Sequence, residues 1–343
     1  MYQVTQKRGR RHSAAAAYLL RVRGRTNLSI RTRAQATRIV FERKRASGVS
    51  YLADGREEEA RARREVILCG GAVNSPQLLL LSGVGPADHL RRLGIPLVAD
   101  LPGVGQNLQD HLAVGLVYRC TQPISLASAQ SLGSLLRYVL LRRGPLTSNV
   151  AEAGGFVRLN PGSVTPDVQF HFGPAYYVNH GFDTYDGHAF TCGPALLHPQ
   201  TRGSITLRSA DPFVPPAIQP NYLAADADVA TLVEGVKWAR RLVQARAFDP
   251  YRGEELHPGP DAHDDGSLAD AIRRMAETLY HPVGTCRMGN DSLAVVDPRL
   301  RVHGVEGLRV VDASIMPTIV GGNTNAPVIM IAERAADLIR QQA

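Results

Sequence analysis

Aromatic residues are scarce in this 343-residue chain, at 6% with a single tryptophan, Trp238. That scarcity argues against a base-stacking platform or an aromatic cage as the main theme. The four cysteines, Cys69, Cys120, Cys192 and Cys286, are far apart and form no C-x-x-C pair. They make neither a disulfide framework nor a zinc knuckle, so reduced thiols in a cytosolic setting are the expectation, with no metal. No apolar run approaches the ~18 residues of a membrane-crossing helix. The stretch 7–20 has basic residues followed by Ser13-Ala-Ala-Ala-Ala-Tyr-Leu-Leu20, but its apolar run is short, Arg21 and Arg23 close it and no cleavage site follows, so it is not read as an export signal. Also missing is any G-x-G-x-x-G dinucleotide fingerprint. Gly103-Val-Gly105-Gln-Asn-Leu108 has Leu at the third position and no apolar strand leading into it.

What is present is a foldable chain. Apolar residues make up 44% and charged residues 20%, enough for a sizeable core and too apolar for wholesale disorder. The net charge of +8 is unevenly placed, since residues 1–64 hold 17 Lys and Arg against 5 Asp and Glu. A basic opening suits a membrane-surface contact, a nucleic-acid arm, a solvated strand face or a surface that meets another part of the protein. No recognition helix or RNP-like string accompanies the charge, so no nucleic-acid partner is expected. The localisation expected is cytoplasmic, with the membrane contact peripheral.

Periodicity predicts a short helix over 14–20 capped by Ser13, and strands over 27–32, 36–42 and 46–52. Asp54-Gly55 predicts a hairpin turn leading to a strand over 65–68. The run Val66-Ile67-Leu68-Cys69 ends at Gly70-Gly71 and reads as a buried strand. A helix over 77–81 follows, with Asn74 or Ser75 as its cap and Pro76 near its first turn. Another helix spans 87–93. From 113 to 275 the texture changes to frequent Pro and Gly, short alternating strands (168–172, 204–207) and one amphipathic helix over 226–244. The chain then returns to a strand, 307–312, and a helix, 327–341, with one apolar face. One domain interrupted by another explains this order.

The string Gly71-Ala-Val-Asn-Ser-Pro-Gln-Leu-Leu-Leu-Leu-Ser-Gly-Val-Gly85 closely resembles the second signature of the glucose–methanol–choline (GMC) family of flavin oxidoreductases. Tyr280-His281-Pro282-Val283-Gly284-Thr285-Cys286-Arg287-Met288-Gly289 is similar to that family's active-site histidine segment, and Gly321-Gly-Asn-Thr-Asn-Ala-Pro327 to its second active-site segment. The stretches 102–111, 296–317 and 2–13 are also family-like. The resemblance covers nearly the whole chain, most tightly 65–112 and 278–340. The family's amino-terminal βαβ unit and first signature have no counterpart here, so the chain resembles a member without its amino-terminal portion. Met1 would then be an internal methionine, or the mark of a truncated gene or a miscalled start.

The resemblance implies an α/β fold: an incomplete FAD-binding, Rossmann-like domain (1–112 and 276–343) interrupted by an α+β substrate domain with an antiparallel sheet (113–275). It implies FAD as cofactor and oxidation of an alcohol by hydride transfer to flavin N5. His281 matches the base, whose imidazole pKa lies near the operating pH. Asn323 matches the second catalytic position, a hydrogen-bond donor to the substrate oxygen. Asp312 and Ala313 resemble residues near the phosphate–ribityl region, and Ala36, Asn74, Ser75 and Thr324 complete the implied cofactor contacts. The helix over 327–341 would present its positive dipole end to the flavin. An uncharged primary alcohol is the expected substrate, because a choline-type cation wants several aromatics around it. The electron acceptor is oxygen or a quinone-linked carrier. The rival reading is a catalytically silent remnant, or a binding module.

Overall fold

The computed structural model describes residues 4–341. They form two compact units, each discontinuous in sequence. One comprises residues 4–29, His111–Gln200 and Leu223–Leu279; the other Ile30–Asp110, Thr201–Tyr222 and residues 280–341. Relative to boundaries at 112 and 275, two segments change sides: the opening residues join the middle of the chain, and Thr201–Tyr222 joins its two flanks.

The first unit is built on a seven-stranded antiparallel sheet. Its path runs Ala153–Val157, Val168–Gly173, Ala189–Leu196, Leu116–Cys120 and Arg252–His257, with the short strands Leu112–Ala113 and Glu277–Thr278 attached at one side. Every residue of Ala189–Leu196 is buried, as suits a strand paired on both edges and covered on one face by helix Asp226–Val243. That helix turns Val229, Leu232, Val233, Val236, Ala239 and Val243 inward at helical spacing. Gly235 lets it approach, since a Cβ there would sit 2.8 Å from the Pro194 Cβ. A capping box of Asp264 and Ser267 starts the next helix, Asp265–Met275.

The second unit joins an antiparallel meander, Ala34–Glu42, Arg45–Ala53 and Arg56–Arg61, to a parallel pair, Val66–Leu68 with Leu308–Val310. The pair is buried at Val66, Leu68, Leu308 and Val310; on its other face Ile67 is 41% exposed, while its partner Arg309 is buried and paired with Glu65. Helices Gly71–Leu81 and Asn325–Arg340 contribute Leu79, Leu80, Ile331 and Ala335 to the core beside these strands.

Several sequence expectations shift. Residues 27–32 form no strand: Leu28 and Ile30 alternate, yet the segment has no ladder partner, and alternation alone cannot supply one. Asp54 and Gly55 both take positive φ, the requirement of a tight hairpin turn, but the strand they feed is Arg56–Arg61, not 65–68. That strand is almost wholly charged and was invisible to an apolar pattern; the backbone ladder and pairs such as Tyr51–Glu58 and Arg61–Glu42 hold it. The opening helix forms as a wide π-type turn over Ala15–Leu19 followed by Leu20–Val22.

The helix after the parallel strand begins at Gly71, so Asn74 and Ser75 lie inside it and do not cap it. Pro76 sits in its interior, where the ring withholds the N–H that the Ala72 carbonyl would accept. The Thr285 hydroxyl donates to that carbonyl instead, at 2.6 Å, with both residues buried. Thr285→Val keeps the shape and removes the donor. It is expected to lower folding stability by about 1–3 kcal/mol, read as a reduced urea midpoint; an unchanged midpoint would mean that another donor serves Ala72.

Candidate active site

His281 and Asn323 both belong to the second unit. The peptide entering His281 is constrained: Tyr280 takes φ of 59°, a left-handed conformation unusual for an aromatic residue. The His281 N–H donates to Asp110 Oδ1 at 2.9 Å, and the Tyr222 hydroxyl donates to Asp110 Oδ2 at 2.6 Å. One buried carboxylate thus ties the histidine backbone to the segment that precedes it in space. Burial of the half-exposed His281 ring pushes its pKa below the usual 6.5, and the Asp110 charge opposes that shift. The imidazole is therefore held as a neutral base around neutral pH.

Beyond His281 the chain is laced to two neighbours. Val283 exchanges both backbone hydrogen bonds with Gln109, at 2.9 and 3.1 Å. Gly284, Cys286 and Met288 then donate in turn to Ala313, Ser314 and Ile315. Gly284 has φ of +95°, and a Cβ there would lie 2.5 Å from the Asn107 carbonyl oxygen, so only glycine fits. Asn107 donates to the carbonyls of Gly284 and Pro317, both at 3.2 Å. Gln109 donates to Pro317 at 3.1 Å and accepts from the Ile319 N–H at 3.2 Å. The run 313–319, which leads directly to Asn323, is in this way sewn to the run 281–288.

Asn323 is exposed and Thr324 buried, at the start of helix Asn325–Arg340. The N-cap residues of that helix and of Gly71–Leu81, Thr324 and Gly70, make no side-chain cap, but at the earlier helix Asp312 takes the Gly71 N–H. Asn74 is exposed one turn into the earlier helix, and a Cβ on Gly71 would meet nothing within 4 Å. Ala36 is half-buried in the meander and Ala313 half-buried in the turn after Asp312.

Asp312 and Ser75 are buried and bonded to each other. Asp312 Oδ2 accepts from the Ser75 hydroxyl at 2.5 Å and the Gly71 N–H at 2.9 Å; Oδ1 accepts from the Ser314 hydroxyl at 2.5 Å and N–H at 2.8 Å. Ser75 Oγ also accepts from the Gly70 N–H. These two side chains shape the strand ends from within.

A helix N-terminus follows each of the glycine-bordered turns at 70–71 and 321–322, the kind of feature that favours an anionic group, although the Gly71 N–H is already taken by Asp312. The phosphate end of a flavin has no comparable cradle in the 103–105 stretch. A Cβ on Gly103 would lie 2.0 Å from the Leu293 carbonyl oxygen, and one on Gly105 2.1 Å from that of Ile205, so those glycines serve close backbone packing. Among the described residues no group of three or more His, Cys, Asp and Glu side chains gathers as a metal site would. His303 bonds the Gly289 carbonyl and His198 the Thr165 hydroxyl, both structural duties.

Local sequence signals assign no role to Asp110, Tyr222, Asn107 or Gln109. The string 102–111 drew attention, but nothing in it says that the Asp110 carboxylate reaches a backbone N–H 171 positions away.

The arrangement is that of an α/β frame in which the histidine segment, the segment 102–111 and the turn before helix Asn325–Arg340 are tied together by backbone and amide hydrogen bonds. The chain belongs to the GMC oxidoreductase family: the family's amino-terminal model matches residues 1–113 and its carboxyl-terminal model residues 199–332. The family binds FAD. The chain is 48% identical over 345 residues to an alcohol dehydrogenase [acceptor] of Pseudomonas putida, covering 98% of this chain and 62% of that protein. It is 47% identical over 348 residues to an oxygen-dependent choline dehydrogenase of Ectopseudomonas mendocina, covering 100% and 62%. Among solved structures, a variant of formate oxidase from Aspergillus oryzae superposes with a TM-score of 0.92 at 28% identity, covering 98% of this chain and 64% of that one. A pyridoxine 4-oxidase gives 0.87 at 31%, covering 98% and 63%. The chain thus spans a little over three-fifths of the length of these relatives.

Proton titration of the His281 ring by NMR is expected to give a pKa below 6.5. Asp110→Asn removes the opposing charge and should lower it further. A rise in the variant would show that Asp110 acts on the ring through position and not through charge.

Proposed function

We propose that this chain carries the proton-handling residues of an FAD-dependent alcohol oxidation. The observation that supports the reading is the lacing of 283–288 to 313–315 and, through Gln109, of Val283 to Pro317 and Ile319, which ties the chain just after His281 to the chain just before Asn323. His281 removes the substrate hydroxyl proton, a step for which a neutral imidazole is the right form. Asn323 donates a hydrogen bond to the substrate oxygen as negative charge grows there. Asp110 orients the His281 peptide and raises the basicity of the ring against the effect of burial. FAD, when bound, supplies the acceptor for the carbinol hydride. Asn74, Thr324, Ala36 and Ala313 are the residues read as facing it, with Asp312 and Ser75 holding the strand ends to which Ala313 and Gly71 attach.

On this reading the unit containing Ile30–Asp110 belongs to the FAD domain and the antiparallel-sheet unit is the substrate domain. The substrate proposed is an uncharged primary alcohol, converted to an aldehyde. The acceptor is oxygen or a quinone-linked carrier, in line with the names of the Pseudomonas and Ectopseudomonas relatives.

The test is stopped-flow reduction of the FAD-loaded protein by a primary alcohol. His281→Ala is expected to slow reduction ~10²–10⁴-fold while leaving FAD bound. Asn323→Ala should slow it by no more than about 10²–10³-fold, the worth of one oriented donor. Because the His281 pKa is lowered, the wild-type rate should hold as pH falls to 6.5 and decline below it. The His281→Ala deficit should shrink at high pH, where a pre-ionised alcohol no longer needs the base. Wild-type reduction by His281→Ala at neutral pH would defeat the assignment.

A further inference from the structure

Helix Leu132–Leu141 is turned inside out relative to the rule for helices of water-soluble domains. Leu132, Leu135, Leu136, Val139 and Leu140 recur at the i, i+3, i+4, i+7, i+8 spacing of an apolar stripe. In a packed domain that stripe faces the core. Here all five are exposed, Leu132 at 71% and Leu140 at 75%, and Leu141 beside them is 64% exposed. The helix has no buried residue among those described, and it rests on the short turns Leu126–Gln130 and Pro145–Thr147 that flank it.

The surroundings of the stripe are basic. Arg137, Arg142 and Arg143 lie on or just after the helix, and residues 121–151 contain no Asp or Glu. The Arg142 guanidinium lies 5.0 Å from the Tyr138 ring centre. A small hairpin, Gln6–Lys7 paired with Arg10–Arg11, docks at the same end. A Cβ on its Gly9 would lie 2.8 Å from the Arg142 carbonyl oxygen, and its Gln6 amide donates to the Thr147 carbonyl at 2.7 Å. The hairpin brings exposed Lys7, Arg8, Arg10 and Arg11 beside the helix, and residues 1–29 contain no acidic residue at all.

We propose that helix Leu132–Leu141 and the 6–11 hairpin form a docking surface for an anionic lipid bilayer, with the leucine stripe at acyl depth and the basic groups at the headgroups. An exposed apolar face bordered by Arg and Lys is the pattern of a helix lying in the membrane interface. The helix is about 15 Å long, too short to span, and no helix among the described residues is long and apolar enough to cross a membrane. A second copy of the chain fits less well, because docking stripe to stripe would bring the two basic borders against each other. Nucleic acid would engage the basic groups and leave the leucines in water. The proposal is independent of the chemistry assigned to His281.

The test is co-sedimentation of the full chain with vesicles of equal parts phosphatidylglycerol and phosphatidylcholine, beside vesicles of phosphatidylcholine alone. Binding is expected to the anionic vesicles, and to weaken as salt rises from ~0.05 to ~0.5 M. Leu136→Glu with Leu140→Glu should reduce it at least on the order of 100-fold. Replacing Arg137, Arg142 and Arg143 with Gln should cost roughly fivefold per arginine. All these side chains except the half-buried Arg142 are exposed, so circular dichroism melting should match the wild type. The milder Leu140→Ser, with an intermediate loss, keeps the test open should a charged variant unfold. The proposal is overturned by absent or lipid-indifferent binding, or by leucine variants that bind as the wild type does. A dimer dispersed by Leu140→Ser would give the surface to a second copy, and duplex DNA displacing the vesicles without sensitivity to the leucines would give the basic cluster to nucleic acid.

Discussion

The second unit depends on one buried carboxylate. Asp312 follows the strand Leu308–Val310 and receives four hydrogen bonds, from Gly71, Ser75 and twice from Ser314. Through Gly71 and Ser75 it fixes the start of the helix that leaves the neighbouring parallel strand. Through Ser314 it shapes the turn whose backbone receives the Cys286 N–H. A carboxylate is the side chain suited to this duty, because it accepts on both oxygens and donates on neither. Strand ends, helix start and histidine segment are all referred to that single group.

From this junction the candidate site is assembled almost entirely by backbone hydrogen bonds and by two amides. Asn107 and Gln109 touch the segments 283–284 and 317–319 without themselves being candidates for chemistry. Rigid backbone pairing of this kind is the economical way to hold two chain segments at a fixed separation, since a loop alone would let them drift. Gly284 makes the pairing possible, because a Cβ there would strike the Asn107 carbonyl. The same backbone economy recurs at Pro76, where the helix gives up an internal bond and Thr285 of the histidine segment makes it good.

The two units solve packing differently. The antiparallel sheet buries its central strand under helix Asp226–Val243 and carries its polar load in pairs such as Arg240 with Glu255, which also accepts from the Tyr118 hydroxyl. That hydroxyl's pKa is driven upward, first by burial and then by the Glu255 contact. Helix Leu132–Leu141 of the same unit departs from this economy by leaving its apolar face in the open. An unpaired apolar stripe has a free-energy cost in water of the kind that a lipid surface removes.

Local rules in the sequence determined the elements whose signal is local: the Asp54-Gly55 turn, the amphipathic helices near 226–243 and 325–340, the buried strands 66–68 and 308–310, and the family-like strings that single out His281 and Asn323. Periodicity and turn chemistry act over a few residues, so they can be read without the fold. Tertiary structure alone decided the rest. It gave the strand Arg56–Arg61 a partner, withheld one from 27–32, and started the helix at Gly71 because Asp312 and Thr285, more than 200 residues away, hold its first turn. It joined Asp110 to His281 and exposed the leucines of 132–141. Each of these turns on which group lies across a contact, and a sequence read along its length specifies neighbours in the chain but not neighbours in space.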